Sequence, residues 1–80
     1  MEQTVKEIAA IIEEIADIPA DEIQEDSLII DDLELASLEI LSIVSEIMRK
    51  YSIKISESEL LSIKTVGDLA QVISDKIADR

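Results

Sequence analysis

Branched aliphatic residues recur at helical spacing in three separate runs of this chain, and a single proline and a single glycine punctuate all eighty residues. That pattern constrains the fold more than any other feature. Apolar residues at i, i+3 and i+4 form a stripe along an α-helix, whereas a half-buried strand needs strict alternation. A chain this short buries only about 60–65% of the surface its unfolded form exposes. Its helices must therefore share one core, and residues 1–80 are expected to form one domain. The supply is sufficient, because 48% of the residues are apolar while Tyr51 is the only aromatic. The expected fold is all-α. It is a small four-helix bundle of three main helices and one short helix, with a long loop between the first and second.

The punctuation sets the boundaries. Thr4-Val5-Lys6-Glu7 has the form of a capping box and predicts the start of the first helix. Ile8, Ile11, Ile12 and Ile15 supply its apolar stripe, with Glu13, Glu14 and Asp17 mostly off it. Ile18-Pro19 predicts its end, since the residue before proline disfavours the helical region. Residues 18–36 form a long connection with a single turn at Ala20–Ile23. Ile23, Leu28, Ile29, Ile30 and Leu33 give that connection enough apolar side chains to pack onto the core.

A second helix is predicted from Ser37 to Tyr51. Its stripe is Leu38, Leu41, Val44, Ile47 and Tyr51, widened by Ile40, Ile43 and Met48. So wide a sector suits either a central position in the bundle or an exposed patch for a partner. Ser52–Ile55 reads as an extended link. Ser56-Glu57-Ser58-Glu59 is a second capping box and opens a short helix over residues 57–62. Thr65-Val66-Gly67-Asp68 opens the last helix, with Val66, Leu69, Val72, Ile73 and Ile77 inward, and Lys76 and Arg80 suit the negative end of its dipole.

Charge and composition narrow the function. Cysteine and histidine are absent, which removes disulfides, thiolate chemistry, the usual zinc ligands and the usual neutral-pH general base. The net charge of −12 is unevenly placed. Residues 1–46 hold fourteen acidic groups and one basic group, Lys6, a net of −13; residues 47–80 hold five acidic and six basic groups, a net of +1. Such a field repels nucleic acid and anionic lipid and attracts basic protein faces. No run is long enough for a membrane span. The first residues lack a signal-peptide pattern, so a cytoplasmic location is expected. Residues 21–34 contain no glycine, so the acidic loop is not an EF-hand and no metal site is expected.

Ser37 remains the one candidate for chemistry. With no histidine and few lysines, a serine nucleophile lacks the base and orienting group that hydrolysis needs. A serine at the head of a helix ordinarily caps it. The same place also suits a covalently attached phosphodiester, because free amides and partial positive charge face it.

The residues around Ser37 carry a resemblance. Asp32-Leu33-Glu34-Leu35-Ala36-Ser37-Leu38-Glu39 is similar to the Asp-Leu-Gly-x-Asp-Ser-Leu segment of acyl carrier proteins. Ile18–Ile23 resembles that family's turn after the first helix. Tyr51-Ser52-Ile53-Lys54-Ile55 resembles its aromatic-Gly-Ile-x-Ile segment, and Thr65-Val66-Gly67-Asp68-Leu69 resembles the start of its last helix. Four matches in register cover nearly the whole chain.

The resemblance implies a carrier and not an enzyme. Ser37 would bear a 4′-phosphopantetheine arm from coenzyme A, installed by a phosphopantetheinyl transferase. The arm's thiol would hold acyl groups as thioesters for partner enzymes of fatty-acid, lipid or secondary-metabolite synthesis. An aminoacyl or peptidyl carrier served by an adenylating ligase is an alternative, as is an unmodified interaction module in which Ser37 is only a cap. Leu38, Glu39, Ser42, Ser45 and Glu34 would border the arm and meet partners, and a monomer is expected.

Two departures stand out: Ala36 where the family has Asp, and Glu34 where it has Gly. Several positions on the second helix that are acidic in fatty-acid carriers read Ser42, Ser45, Met48 and Arg49. A specialised carrier with its own partners is expected.

Overall fold

The computed structural model describes residues 2–79, and Arg80, expected to complement the last helix, lies outside them. Four α-helices form: α1 Glu2–Ala16, α2 Ser37–Tyr51, α3 Glu57–Ser62 and α4 Val66–Asp79. A 3₁₀ turn at Ala20–Glu22 follows α1. Among the described residues there is no strand, only an isolated antiparallel bridge between Leu28 and Thr65. No helix among them is long and apolar enough to cross a membrane.

The core is aliphatic. Ile8 and Ile12 of α1, Ile47 of α2, and Val66 and Ile73 of α4 are fully buried. Each such side chain contributes about 1.5–3 kcal/mol by leaving water. No polar or charged side chain is buried among the described residues, so the core carries no desolvation cost. Helices α1 and α2 run antiparallel. Ile15 near the end of α1 meets Leu38 at the start of α2, and Glu7 near the start of α1 accepts a hydrogen bond from the Tyr51 hydroxyl at the end of α2.

Several local expectations need correction. Helix α1 begins by Glu2, so Thr4 lies inside its first turn and does not open it. Glu7 does not reach back as a capping partner. It accepts hydrogen bonds from Tyr51 and Gln3 and lies 3.8 Å from the Lys50 ammonium. Those contacts, the tyrosine first, hold its carboxyl below the usual range. The end of α1 comes at Ala16, because Asp17 turns left-handed at φ 61°. Ile15, Leu28 and Ile30 were expected against the core and are exposed; of the wide apolar sector on α2, read as suiting either a central position or a partner patch, Leu38 and Leu41 are exposed, while Ala9, Leu35 and Ala70 are buried. Ile15 shares the face of Ile8 but sits in the last turn, beyond the reach of the core.

The later boundaries stand as read. Ser56 Oγ accepts the Glu59 amide at 3.2 Å and Glu59 returns the bond to the Ser56 amide at 2.9 Å. The Lys76 ammonium approaches Glu59 at 2.9 Å. At α4, Asp68 accepts the amides of Lys64 and Thr65, and Thr65 Oγ1 accepts that of Asp68 at 3.0 Å.

The twenty residues 17–36 are ordered by backbone bonds to the head of α4. The Ile29 amide donates to Lys64 O at 2.9 Å, Val66 to Ser27 O at 3.0 Å and Gly67 to Glu25 O at 2.7 Å. Gly67 permits this approach. A Cβ there would come within 2.8 Å of Glu25 Cγ and 3.0 Å of its carbonyl oxygen. Within the loop, the Leu28 amide donates to Asp32 Oδ2 at 2.8 Å, and the amides of Asp32 and Leu33 return to Leu28 O.

Two predictions concern stability. Ser52 closes α2 in the left-handed conformation, φ 55°, where a Cβ costs about 1 kcal/mol and glycine costs none. Ser52→Gly is expected to raise unfolding stability by about 1 kcal/mol in urea titrations. The second is acid-dependent. The Ser56 amide above all, then Lys76 and the Ser56 hydroxyl, hold the Glu59 carboxyl at about 2 against an ordinary 4.5. A depressed folded-state value means the α3 cap contributes fully above pH 4.5 and is lost as pH falls toward 2. The melting-temperature advantage of the wild type over Glu59→Gln should shrink across that window; a constant gap would show that Glu59 contributes nothing through its charge.

Candidate functional site

Ser37 is the first helical residue of α2, not its cap. Ala36 holds the cap position with φ −75° and ψ 158°. Alanine has no oxygen to offer the free amides behind it. Only half of a capping box is present: Glu39 Oε1 accepts the Ala36 amide at 2.9 Å. Ser37 is exposed, and its hydroxyl makes no hydrogen bond among the described residues. With Ala36 at the cap position, Ser37 has no capping duty.

The loop aims this serine outward. Ile29 and Leu35 are buried and anchor the segment on either side of the exposed residues 30–32. The Leu35 amide donates to Ile29 O at 3.4 Å. Between them, Glu34 adopts φ 53°. A left-handed residue is needed here to turn the chain toward α2, which accounts for the glycine that the resemblance led us to expect at this position. Glu34 is exposed and has no bonded partner among the described residues. Asp32 has one oxygen committed to the Leu28 amide. Among the described residues no three carboxylates converge as a metal site.

A cavity of about 290 Å³ opens beside Ser37. Its walls come from every layer of the fold: Ile12 of α1, Ile29 and Leu35 of the loop, Ile40 and Val44 of α2, Leu60 of α3, Ile63, and Leu69 of α4. Ser37 is the only polar residue lining it. Buried Ile43 and exposed Ile30, Leu41 and Leu61 complete its walls. This container can hold an aliphatic chain and offers nothing to a charged group.

On the other side of Leu41 lies a surface groove lined by Glu14, Ile15, Leu38, Leu41, Ser42, Ser45, Glu46 and Arg49. The structure thus brings together Leu38, Ser42 and Ser45, three of the residues expected to meet partners. Glu39 and Glu34 do not line it. Arg49 binds both carboxylate oxygens of Glu46, and that bond holds the Glu46 carboxyl below its ordinary range. Sequence reasoning missed Ile15, which counted as core, and left Leu41 undecided between the core and a partner patch. It also missed the cavity walls Leu60 and Leu61. Their only sequence signal is an apolar doublet in a six-residue helix.

The missing cap oxygen yields a prediction. Ala36→Ser would complete the capping box already half formed by Glu39, and such a cap is worth about 1 kcal/mol. The variant should unfold at higher urea concentration with an unchanged slope. No gain would show that water satisfies the first amides of α2 equally well.

Comparison with known proteins bears directly on this arrangement. Residues 6–73 match the family model described as phosphopantetheine attachment site. The chain is 32% identical over 72 residues to an acyl carrier protein of Rhodococcus erythropolis, covering 90% of this chain and 79% of that one. It is 32% identical over 74 residues to an acyl carrier protein of Acidothermus cellulolyticus, covering 92% and 88%. With the meromycolate extension acyl carrier protein of Mycobacterium tuberculosis it shares 36% identity over 72 residues, 90% of this chain and 63% of that protein. An exposed serine with no bonded partner, set at the head of a helix and the edge of an aliphatic cavity, fits a covalently attached arm and its acyl load. The chain belongs to the acyl carrier protein family, whose cofactor is covalently bound 4′-phosphopantetheine.

Proposed function

We propose that Ser37 is the attachment point of the 4′-phosphopantetheine arm and that this single-domain, monomeric carrier shuttles fatty acyl groups between enzymes. The observation that carries the reading is the placement of Ser37. Its hydroxyl is exposed, has no bonded partner, and stands at the edge of a cavity whose other walls are aliphatic. When bound, the arm supplies a thiol that holds acyl groups as thioesters.

The chain's own residues present and shelter. The first turn of α2 faces Ser37 with free amides and the positive end of a dipole, which suits a phosphodiester. With no base hydrogen-bonded to it, Ser37 does not activate itself. A phosphopantetheinyl transferase must supply that activation, and the chain needs no catalytic residue of its own.

The cavity supports a choice of cargo. Its 290 Å³ is about twice the ~150 Å³ apolar cavity that accommodates benzene, so it has room for a chain on the order of ten carbons. The ammonium of an aminoacyl group would lose its hydration there without a partner. This favours fatty acyl over aminoacyl or peptidyl cargo, and acyl-processing enzymes over adenylating amino-acid ligases. Synthesis or extension of long lipid chains is a pathway consistent with the name of the mycobacterial relatives. Leu38, Ser42 and Ser45, with Glu34 and Glu39 nearer the serine, form the face that partners meet. Charge supports the monomer, because chains of net −12 repel their own copies.

Incubation with coenzyme A and a phosphopantetheinyl transferase of the same organism tests the assignment by intact mass. A gain of one arm is expected, located on the peptide that contains Ser37 and absent from Ser37→Ala. An unchanged mass in a chain that circular dichroism shows to be folded would refute it and favour an unmodified interaction module.

A further inference from the structure

We propose that Met48 is a peroxide-sensitive modification site whose oxidation to the sulfoxide loosens α3 from the cavity. The chain has no cysteine, and Met48 is the only sulfur-bearing residue among those described. It receives three amides of the link from α2 to α3. Its carbonyl oxygen accepts those of Ser52 and Ile53, the latter at 3.1 Å. Its thioether sulfur accepts that of Ile55 at 3.3 Å. Ile55 directly precedes Ser56, the cap residue of α3. The sulfur therefore fixes the point at which the chain enters that helix.

Helix α3 depends on such tethers. It has six residues, none of them buried, and so short a helix is marginal by itself. The Lys76–Glu59 ion pair that ties it to α4 is partly exposed, and pairs of that kind contribute little. Yet Leu60 and Leu61 wall the cavity, with Ile63 just beyond the helix. Met48 is half-buried, within reach of a small neutral oxidant. Its sulfur attacks one oxygen of hydrogen peroxide; an S–O bond forms, the O–O bond breaks, and water leaves. The sulfur loses two electrons and the peroxide gains them. The acceptor then lies on oxygen, one bond farther out, and a flexible apolar side chain has become polar. The Ile55 amide keeps its partner only if the link moves. Ile53 is buried and Ile55 packs against the core, so the link resists and the bond is lost. Methionine sulfoxide reductases return the sulfur to its thioether state, which makes the change reversible.

The test treats the full chain with hydrogen peroxide before any arm is attached, so no outcome depends on the carrier reading. Trypsin cleavage at Lys6 and Arg49 separates Met48 from Met1, and mass spectrometry of the peptides locates the added oxygen. One oxygen is expected on the peptide that holds Met48. Amide hydrogen exchange, followed by NMR, should then quicken about fivefold at Ile55 and across α3. Treatment with a methionine sulfoxide reductase should restore the original rates. Met48→Leu fills a similar volume without an acceptor. It should exchange quickly at Ile55 from the start and show no response to peroxide. A sulfoxide at Met48 that leaves exchange at Ile55 and α3 unchanged would overturn the proposal. So would a folded chain in which Met1 is oxidised and Met48 is not. An equal response to peroxide in Met48→Leu would also overturn it, by tracing the effect to another residue.

Discussion

The pairing of the long loop with the head of α4 is the constraint on which the rest of this molecule depends. Three backbone hydrogen bonds, from Ile29, Val66 and Gly67, join residues 25–29 to residues 64–67. A twenty-residue connection is costly to order, and its backbone groups need partners. These bonds supply them, and the buried Ile23, Ile29 and Leu35 supply the apolar gain. Gly67 is essential to the arrangement because any Cβ there would press on the Glu25 backbone. With the loop fixed, Leu35 enters the core, Ala36 takes the cap position of α2, and Ser37 faces out beside the cavity.

The loop also explains the division of labour among the acidic residues. Asp32 braces the turn from Leu28 to Leu33, Glu39 holds the Ala36 amide, and Glu59 and Asp68 cap α3 and α4. Glu7 ties α1 to Tyr51 and Lys50 of α2. Burial and the bond to Glu7 raise Tyr51 well above the usual phenol range, so this link persists at neutral pH. The carboxylates that remain unpaired give the surface its field.

Much of the fold was legible because helix ends are written locally. Ser56 with Glu59 and Thr65 with Asp68 lie three residues apart, and their mutual hydrogen bonds need nothing from the rest of the chain. The stripe on α2 was harder to read. A helix turns about 100° per residue, so a strict i, i+3 ladder drifts about 60° per step. Leu38, Leu41, Val44 and Ile47 form such a ladder, and its first two members have rotated out of the core, leaving Ile43, Val44 and Ile47 inside. Spacing alone does not say where a ladder leaves the buried sector.

The sequence by itself determined the four helices, nearly all their ends, and the serine at the head of α2, because these follow from periodicity, capping and turn chemistry within a few residues. It also marked Glu34 as a departure from a glycine of the resembled family, and set Ser52 within a segment that resembles the family's aromatic-Gly-Ile-x-Ile. Only the tertiary structure decided that both positions require the left-handed conformation. It alone decided that Ser37 is free of capping duty, that walls from four helices and a loop enclose an aliphatic cavity beside it, and that Ile15, Leu38 and Leu41 meet on the surface. Those outcomes depend on which elements approach one another, and long-range packing, not local spacing, sets that.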